Sequence, residues 1–162
     1  MVGPSMSPVT ITPVLTAGDL ADVRTLFEEY AGSIGFSLCF QGFERELAEL
    51  PGAYAPPEGR LLVAKIGGAP AGCIALRRIG DGICEMKRLF VRPPFHGRGL
   101  GRKLAETIIQ EGRAAGYAAM RLDTVPAMTA AIGLYESLGF HDIPPYRENP
   151  IEGARYMELR LR

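Results

Sequence analysis

Residues 89–104 read Leu89-Phe-Val-Arg-Pro-Pro-Phe-His-Gly-Arg-Gly-Leu-Gly-Arg-Lys-Leu104, an apolar run that ends at two prolines and is followed by a glycine-rich turn. Glycines at 97, 99 and 101 allow the backbone to approach a ligand closely. A helical pattern follows the turn, and the first N–H groups of a helix have no partner within it, so they can donate hydrogen bonds to an anion. The stretch therefore predicts an anion site between a strand and a helix.

Two common glycine motifs do not fit this turn. A Walker A loop requires Gly-Lys followed by Ser or Thr, but Gly101 is followed by Arg102. A dinucleotide fingerprint requires a third glycine three residues after the second, where this chain has Arg102 or Leu104. A turn that only lets the helix pack against a sheet remains the alternative to an anion site.

Strand-like runs surround the turn. Those at residues 60–66, 71–79 and 83–92 are separated by glycine-rich turns and predict an antiparallel meander. Helical periodicity at 97–115 before a strand at 117–124 predicts a crossover with parallel pairing. The other predicted elements are a strand at 9–15, helices at 19–30, 43–50 and 128–138, a loop at 54–59 and a last strand at 155–161. This order predicts one domain at residues 9–162 after a disordered Pro/Gly/Ser-rich tail at residues 1–8.

Composition limits the function classes. The 162 residues are 47% hydrophobic and 22% charged, with 18 basic and 18 acidic side chains, so no global field favours nucleic acid or a membrane surface. The start of the chain lacks the pattern of a secretory signal, and no apolar run is long enough to span a membrane. Three cysteines, Cys39, Cys73 and Cys84, match neither a disulfide framework nor paired metal ligands. We expect a cytoplasmic protein.

Two motifs resemble the GNAT superfamily of N-acetyltransferases. Val91-Arg-Pro-x-x-His-Gly-Arg-Gly-Leu-Gly-Arg-x-Leu104 is similar to the loop that binds the pyrophosphate of coenzyme A in that family. Ala131-x-x-x-Tyr135-Glu-x-x-Gly139-Phe140 is similar to its A-x-x-x-Y-x-x-x-G-F signature. The resemblance covers residues 71–140. It implies an α+β fold of three layers (α/β/α), with a central mixed, mostly antiparallel sheet of six to seven strands flanked by about four helices.

The resemblance implies acetyl-CoA as cosubstrate and no metal. Its pantetheine arm would pair with strand backbone, and its pyrophosphate would lie on the glycine loop. The implied cofactor-binding residues are Leu89, Phe90, Val91, His96, Gly97, Arg98, Gly99, Leu100, Gly101 and Arg102. Two positions depart from the family pattern: His96 replaces a Gln or Arg, and Met128 replaces an asparagine. A histidine can still donate to phosphate, so we expect the pyrophosphate site to be kept.

Tyr135 occupies the family's position for the acid that protonates the departing thiolate. A phenol with a pKa of about 10 is suited to a thiol with a pKa of about 8.5. By spacing alone, Tyr135 would be an aromatic side chain on the buried face of its helix.

Glu85 is the candidate base for the amine acceptor. It lies on the strand that leads to the cofactor, on the same side as Lys87 and Leu89 if no bulge intervenes. Alternatively it forms an ion pair with Lys87, Arg88, Arg77 or Arg78.

The sequence thus predicts direct transfer of an acetyl group to an amine of a small molecule or peptide. A non-catalytic acyl-CoA-binding module and a protein acetyltransferase are the alternatives. We expect no nucleic-acid partner and no membrane, and a homodimer is possible. His141 has no partners at metal-ligand spacing, and Cys73 and Cys84 are expected to be buried. Tyr146, Arg147 and Glu152, in a long predicted loop at 142–153, are candidates to contact the acceptor.

Overall fold

The computed structural model describes residues 8–34, 42–126 and 128–162. Most of the predicted tail and Cys39 lie outside these ranges. The described residues form four helices, α1 (Ala17–Ser33), α2 (Phe43–Glu49), α3 (Leu100–Ala114) and α4 (Thr129–Ser137). They also form seven strands, β1 (Val9–Pro13), β2 (Arg60–Ile66), β3 (Ala69–Gly80), β4 (Ile83–Val91), β5 (Ala119–Thr124), β6 (His141–Ile143) and β7 (Arg155–Arg160).

All seven strands belong to one sheet with the order β1-β2-β3-β4-β5-β7-β6. Neighbouring strands are antiparallel except β4 and β5, which are parallel because α3 connects them as a crossover. The mixed, mostly antiparallel sheet and the predicted meander of β2, β3 and β4 are confirmed.

Two apolar clusters cover the two faces of the sheet. One contains the buried side chains of α1 and α2, among them Phe27 and Phe43, with Val63, Cys73 and Ala75 from the sheet. The other contains α3 and α4, and its buried members are Leu62, Ala64, Ile66, Ala71, Ile74, Leu76, Cys84, Met86, Leu100, Leu104, Ala105, Ile108, Ile109, Tyr117, Met120, Leu122, Tyr135, Phe140, Met157 and Leu161. The three predicted layers are therefore present.

One prediction about the chain after α4 was wrong in part. The stretch expected to form one long loop begins with β6, a three-residue edge strand that pairs with β7. Three residues are too few for an alternating pattern to be recognised, and the pairing partner lies 13 or more residues further along the chain.

Candidate active site

A cleft opens between β4 and β5. The two strands pair only from Ile83 to Glu85 on β4, although β4 continues to Val91 and β5 to Thr124. Beyond the last pair, no strand of the described residues pairs with β4 on that side, and this is the arrangement an extended ligand needs to add itself to a sheet. The cleft is lined by Tyr30, Met86, Lys87, Arg88, Leu89, Leu122, Asp123, Thr124, Met128 and Tyr135.

A β-bulge at Arg88 shapes the β4 wall of this cleft. Lys87 pairs with Ala75 and Phe90 with Cys73, so β4 has one more residue than β3 between these pairs. Arg88 has φ 63°, and it is the one non-glycine residue of the described ranges in the left-handed region.

The bulge changes which side chains share a face. Lys87 lies opposite Ala75, on the face covered by α1 and α2, and Glu85 lies opposite Arg77 on that same face. Leu89 packs instead against the core under α3 and α4. Glu85 and Lys87 therefore share one face of the sheet, as expected without a bulge, whereas Leu89 lies on the other face.

The glycine loop lies where β4 ends and α3 begins. Gly97 and Gly99 have φ 79° and 73°, and a side chain at either position would meet no atom within 4 Å. These glycines are therefore required by backbone conformation and lie beside open space. Helix α3 begins at Leu100 without a side-chain cap, so its first N–H groups keep their capacity to bind an anion.

The basic side chains of the loop have partners within the protein. His96 lies 2.7 Å from the carbonyl oxygen of Val91 through Nε2, which must therefore carry the proton and donate. The guanidinium of Arg98 lies over the ring of Phe95. Arg102 donates to Ser137 Oγ on α4 at 2.5 Å. Phosphate recognition in this loop would thus rest first on backbone N–H groups.

Tyr135 is buried on α4 and lines the cleft. Its ring packs edge-on against Phe140 at 5.8 Å between centroids. Burial raises the pKa of the phenol above its usual range, so the hydroxyl is protonated at neutral pH and can act as a donor. Met128 lines the same cleft with an apolar side chain, so the site lacks the amide that the family commonly has there.

The β5 wall contributes two polar groups that the sequence did not single out. Among the described residues, Thr124 Oγ1 is the one buried side-chain oxygen or nitrogen without a hydrogen-bond partner. The neighbouring Asp123 accepts a hydrogen bond of 3.1 Å from Asn149 Nδ2. A buried hydroxyl without a partner within the protein is unfavourable unless a ligand or water satisfies it, so Thr124 Oγ1 can form a hydrogen bond with a ligand or a water in the cleft.

Glu85 is fully buried at the centre of a group of polar side chains, here called the Glu85 cluster. Its Oε1 accepts a hydrogen bond from Arg77 Nε at 3.0 Å and lies 3.8 Å from Lys87 Nζ. Its Oε2 accepts from Tyr146 Oη at 2.6 Å and from Arg147. Burial alone would raise the pKa of this carboxyl, but Lys87, Arg147 and Tyr146 together hold it below its usual value.

Lys87 connects the Glu85 cluster to the cleft. Its side chain is only 5% exposed, and it lines the cleft on the β4 side. Burial lowers its pKa to about 8, which the nearby Glu85 opposes and Arg88, Arg147 and Arg77 reinforce. Sequence reasoning named Lys87 only as an ion-pair partner, because its burial depends on helices that are distant along the chain.

The remaining predicted side chains have different surroundings. Tyr146 and Arg147 reach the Glu85 cluster, whereas Glu152 is exposed. Cys73 and Cys84 are buried as expected, and burial raises the pKa of Cys84 to about 12. His141 is exposed on β6.

The described residues form neither a metal-binding cluster nor a membrane-spanning helix. Residues 8–34, 42–126 and 128–162 contain no group of three His, Cys, Asp or Glu side chains placed to hold a metal ion. Within these ranges, no helix has the length and apolar character to cross a bilayer.

Comparison with known proteins gives consistent matches. The model of the acetyltransferase (GNAT) family matches residues 22–140. An uncharacterized N-acetyltransferase of Schizosaccharomyces pombe is 41% identical over 157 residues, which is 96% of each chain. An N-acetylaspartate synthetase of Danio rerio is 30% identical over 130 residues, 72% of this chain and 46% of that protein. An acetyltransferase structure from Salmonella typhimurium with acetyl-CoA superposes with a TM-score of 0.68 at 24% identity, covering 95% of this chain and 94% of the other.

Proposed function

Because this chain belongs to the acetyltransferase (GNAT) family, we propose that it is an enzyme that moves an acetyl group from acetyl-CoA directly to an amine of a small molecule or peptide. One observation carries the proposal: the cleft between β4 and β5 contains a protonated phenol, and the open glycine loop lies at the end of β4. A binding module would need the loop but not the phenol, so Tyr135 favours catalysis over binding alone.

The residues around the cleft fit acetyl-CoA. The edge of β4 at Leu89, Phe90 and Val91 would hold the pantetheine arm by backbone hydrogen bonds. The loop from His96 to Gly99 and the first turn of α3 would hold the pyrophosphate. A related fold with acetyl-CoA bound, the Salmonella acetyltransferase, supports this choice of cosubstrate. Acetyl-CoA supplies an acetyl group on a thioester, which makes the carbonyl carbon open to attack by an amine.

Tyr135 acts in this proposal as the general acid. Its raised pKa keeps the proton on the phenol oxygen until the thiolate leaves. The position of the ring is fixed by its contact with Phe140. A buried donor held in one position is an arrangement that makes proton donation effective.

The base has two candidates. Glu85 stays a prediction in this role, but its carboxylate already engages Arg77, Lys87, Tyr146 and Arg147, and its lowered pKa makes it a weak base. Asp123 is a second carboxylate, placed directly in the cleft wall. These contacts favour an ion-pairing role for Glu85 and leave Asp123 closer to an incoming amine.

Isothermal titration with acetyl-CoA tests the proposal through the glycine loop. We expect saturable micromolar binding to wild type and none to Gly99→Asp, because the new carboxylate would face the phosphates. Gly82→Asp is the matched control, since Gly82 has a similar φ of 70° but lies in the turn at the opposite end of β4. Thermal melts establish that both variants fold.

Thiol release with a panel of amines then tests transfer. Absence of acetyl-CoA binding to folded wild type would refute the enzyme assignment. Binding without thiol release for any small amine, peptide or protein would leave the binding-module alternative in its place. Acetylation of proteins alone would replace the proposed acceptor class.

A further inference from the structure

The two walls of the cleft carry opposite charges. The β4 wall presents Lys87, with Arg77 and Arg147 behind it around Glu85. The β5 wall contains Asp123 on the same face of the sheet as Lys87, and Thr124 on the opposite face. A ligand that fits both walls needs a cationic end and an anionic end.

Positive charge is in excess around the β4 wall. The neighbouring arginines are balanced one to one, Arg88 by Glu46 and Arg121 by Glu158. By contrast, Arg77, Lys87 and Arg147 share the single carboxylate of Glu85. The charge of Asp123 also acts on Arg147. With Asp123 included, the group contains three cations and two carboxylates.

Residues outside the described ranges do not change this balance. Residues 1–7, 35–41 and 127 contain no Asp or Glu, so none of them adds a carboxylate near Lys87. Removing a charge from water costs several kcal/mol unless an opposite charge compensates it. An anionic group on a ligand would reduce the excess of positive charge on the β4 wall.

We propose, on the basis of the proposed function, that the acceptor is an amine that also carries a carboxylate, as amino acids do. Its carboxylate pairs with Lys87 on the β4 wall, supported by Arg77 and Arg147. Its amine lies at the β5 wall beside Asp123, which alternation along β5 places on the same face of the sheet as Lys87, within the same cleft as Tyr135. Lys87 is then a residue that determines specificity.

The same charges select against other amines. A diamine would bring its second ammonium group to Lys87 and be repelled. An amide or ester of the same amino acid would leave the excess positive charge of the β4 wall uncompensated. The planar guanidinium groups behind Lys87 suit a carboxylate or a phosphate, so the test includes an amine of each kind.

Thiol release with matched acceptors tests the proposal. The panel contains the standard L-amino acids and β-alanine, their carboxamides, cadaverine, and O-phosphoethanolamine, each with wild type, Lys87→Met and Lys65→Met. Methionine preserves the volume of the buried lysine stem, and Lys65 is a matched lysine on β2 that pairs with Asp19. We expect kcat/KM for a carboxylate-bearing amine to exceed that for its carboxamide by at least tenfold. Lys87→Met should remove this preference mainly through KM, and Lys65→Met should retain it.

The outcomes separate the two proposals. A preference for carboxamides, cadaverine or O-phosphoethanolamine, or an unchanged preference in Lys87→Met, overturns the carboxylate assignment and leaves acetyl transfer intact. So does transfer to other amines without transfer to any carboxylate-bearing amine. Failure of the folded protein to bind acetyl-CoA refutes the proposed function instead.

Discussion

Arg88 and Glu46 form a two-point ion pair across the protein, with Arg88 Nε 2.8 Å from Glu46 Oε2 and Arg88 Nη2 2.9 Å from Glu46 Oε1. The guanidinium also lies near the rings of Tyr30 and Phe43. Arg88 is the bulge residue of β4, so this pair anchors the side chain at the point where the backbone adopts the left-handed conformation and shapes one wall of the cleft. Helix α2 thereby helps to determine the geometry of a strand 42 residues away.

Removing the carboxylate of Glu46 should destabilise the protein and weaken cofactor binding. We expect Glu46→Gln to lower the free energy of unfolding by about 3–5 kcal/mol, because a buried guanidinium loses its counter-charge. The control is Glu49→Gln on the same helix, whose pair with Arg45 is exposed to solvent and should contribute little to stability. Urea denaturation measures both changes. Equal stability of the two variants would contradict the anchoring role of Glu46.

The bulge also marks the limit of what the sequence could predict. The meander, the glycine loop and the crossover follow from local patterns, and the sheet confirms them. No local pattern marks the bulge, whose residue Arg88 pairs with a distant helix, so alternation along an unbulged β4 predicted the wrong face for Leu89. The resemblance identified Tyr135, but not Asp123 or Thr124. Their place in the cleft depends on where β4 and β5 stop pairing, which no local pattern encodes.

Gly72 on β3 should not tolerate a side chain. A Cβ atom there would lie 2.6 Å from the carbonyl oxygen of Phe90 and 3.2 Å from Leu104 Cδ1. We expect Gly72→Ala to lower stability by about 1–3 kcal/mol and to weaken acetyl-CoA binding, because β4 must move. Gly80→Ala on the same strand is the control, since its nearest contact would be Ile83 Cδ1 at 3.9 Å. Calorimetric titration of both variants checks this, and unchanged affinity in Gly72→Ala would argue against the proposed role of the β4 edge.

Tyr135→Phe should separate binding from catalysis. Loss of the general acid should lower kcat by about 10²–10⁴-fold, while the affinity for acetyl-CoA stays the same. Tyr117→Phe is the control, because it removes a buried phenol that donates to the carbonyl oxygen of Glu58. It should lower stability by about 1 kcal/mol without affecting kcat. The kcat values are measured by thiol release in stopped-flow or steady-state assays. Equal kcat values for Tyr135→Phe and wild type would exclude the role of Tyr135 as general acid.

The pH profiles of two variants should distinguish the carboxylates. We expect Asp123→Asn to lose the acidic limb of kcat/KM and Glu85→Gln to keep it while KM for the acceptor rises. In the folded protein the pKa of Glu85 lies below its usual value, so its ionised form stabilises the fold above the usual pKa, and this contribution is lost as pH falls further. Glu85→Gln should therefore be less stable at pH 7 and depend less on pH in the acid range. Loss of the acidic limb in Glu85→Gln would instead establish Glu85 as the base.

Lys87 should make stability depend on pH in the alkaline range. Its pKa of about 8, against an ordinary 10.5, means that the unfolded chain binds more protons between these values. The penalty for burying the charged lysine is thus complete below pH 8, at about 3 kcal/mol, and disappears as pH rises to about 10.5. Burial is the main cause of the lowered pKa of Lys87. The charge of Glu85 raises this pKa, and the charges of Arg88, Arg147 and Arg77 lower it further.

The measurement compares wild type with Lys87→Met by urea denaturation from pH 7 to pH 10. Buried tyrosines and cysteines, such as Tyr135 and Cys84, have raised pKa values and change stability in the opposite sense, so only the difference between the two proteins isolates Lys87. Lys87→Met should be more stable than wild type at pH 7, and its advantage should shrink with rising pH. A constant difference between wild type and Lys87→Met would mean that Lys87 is not buried as a charged group, and the excess positive charge on the β4 wall would then have to be assigned elsewhere.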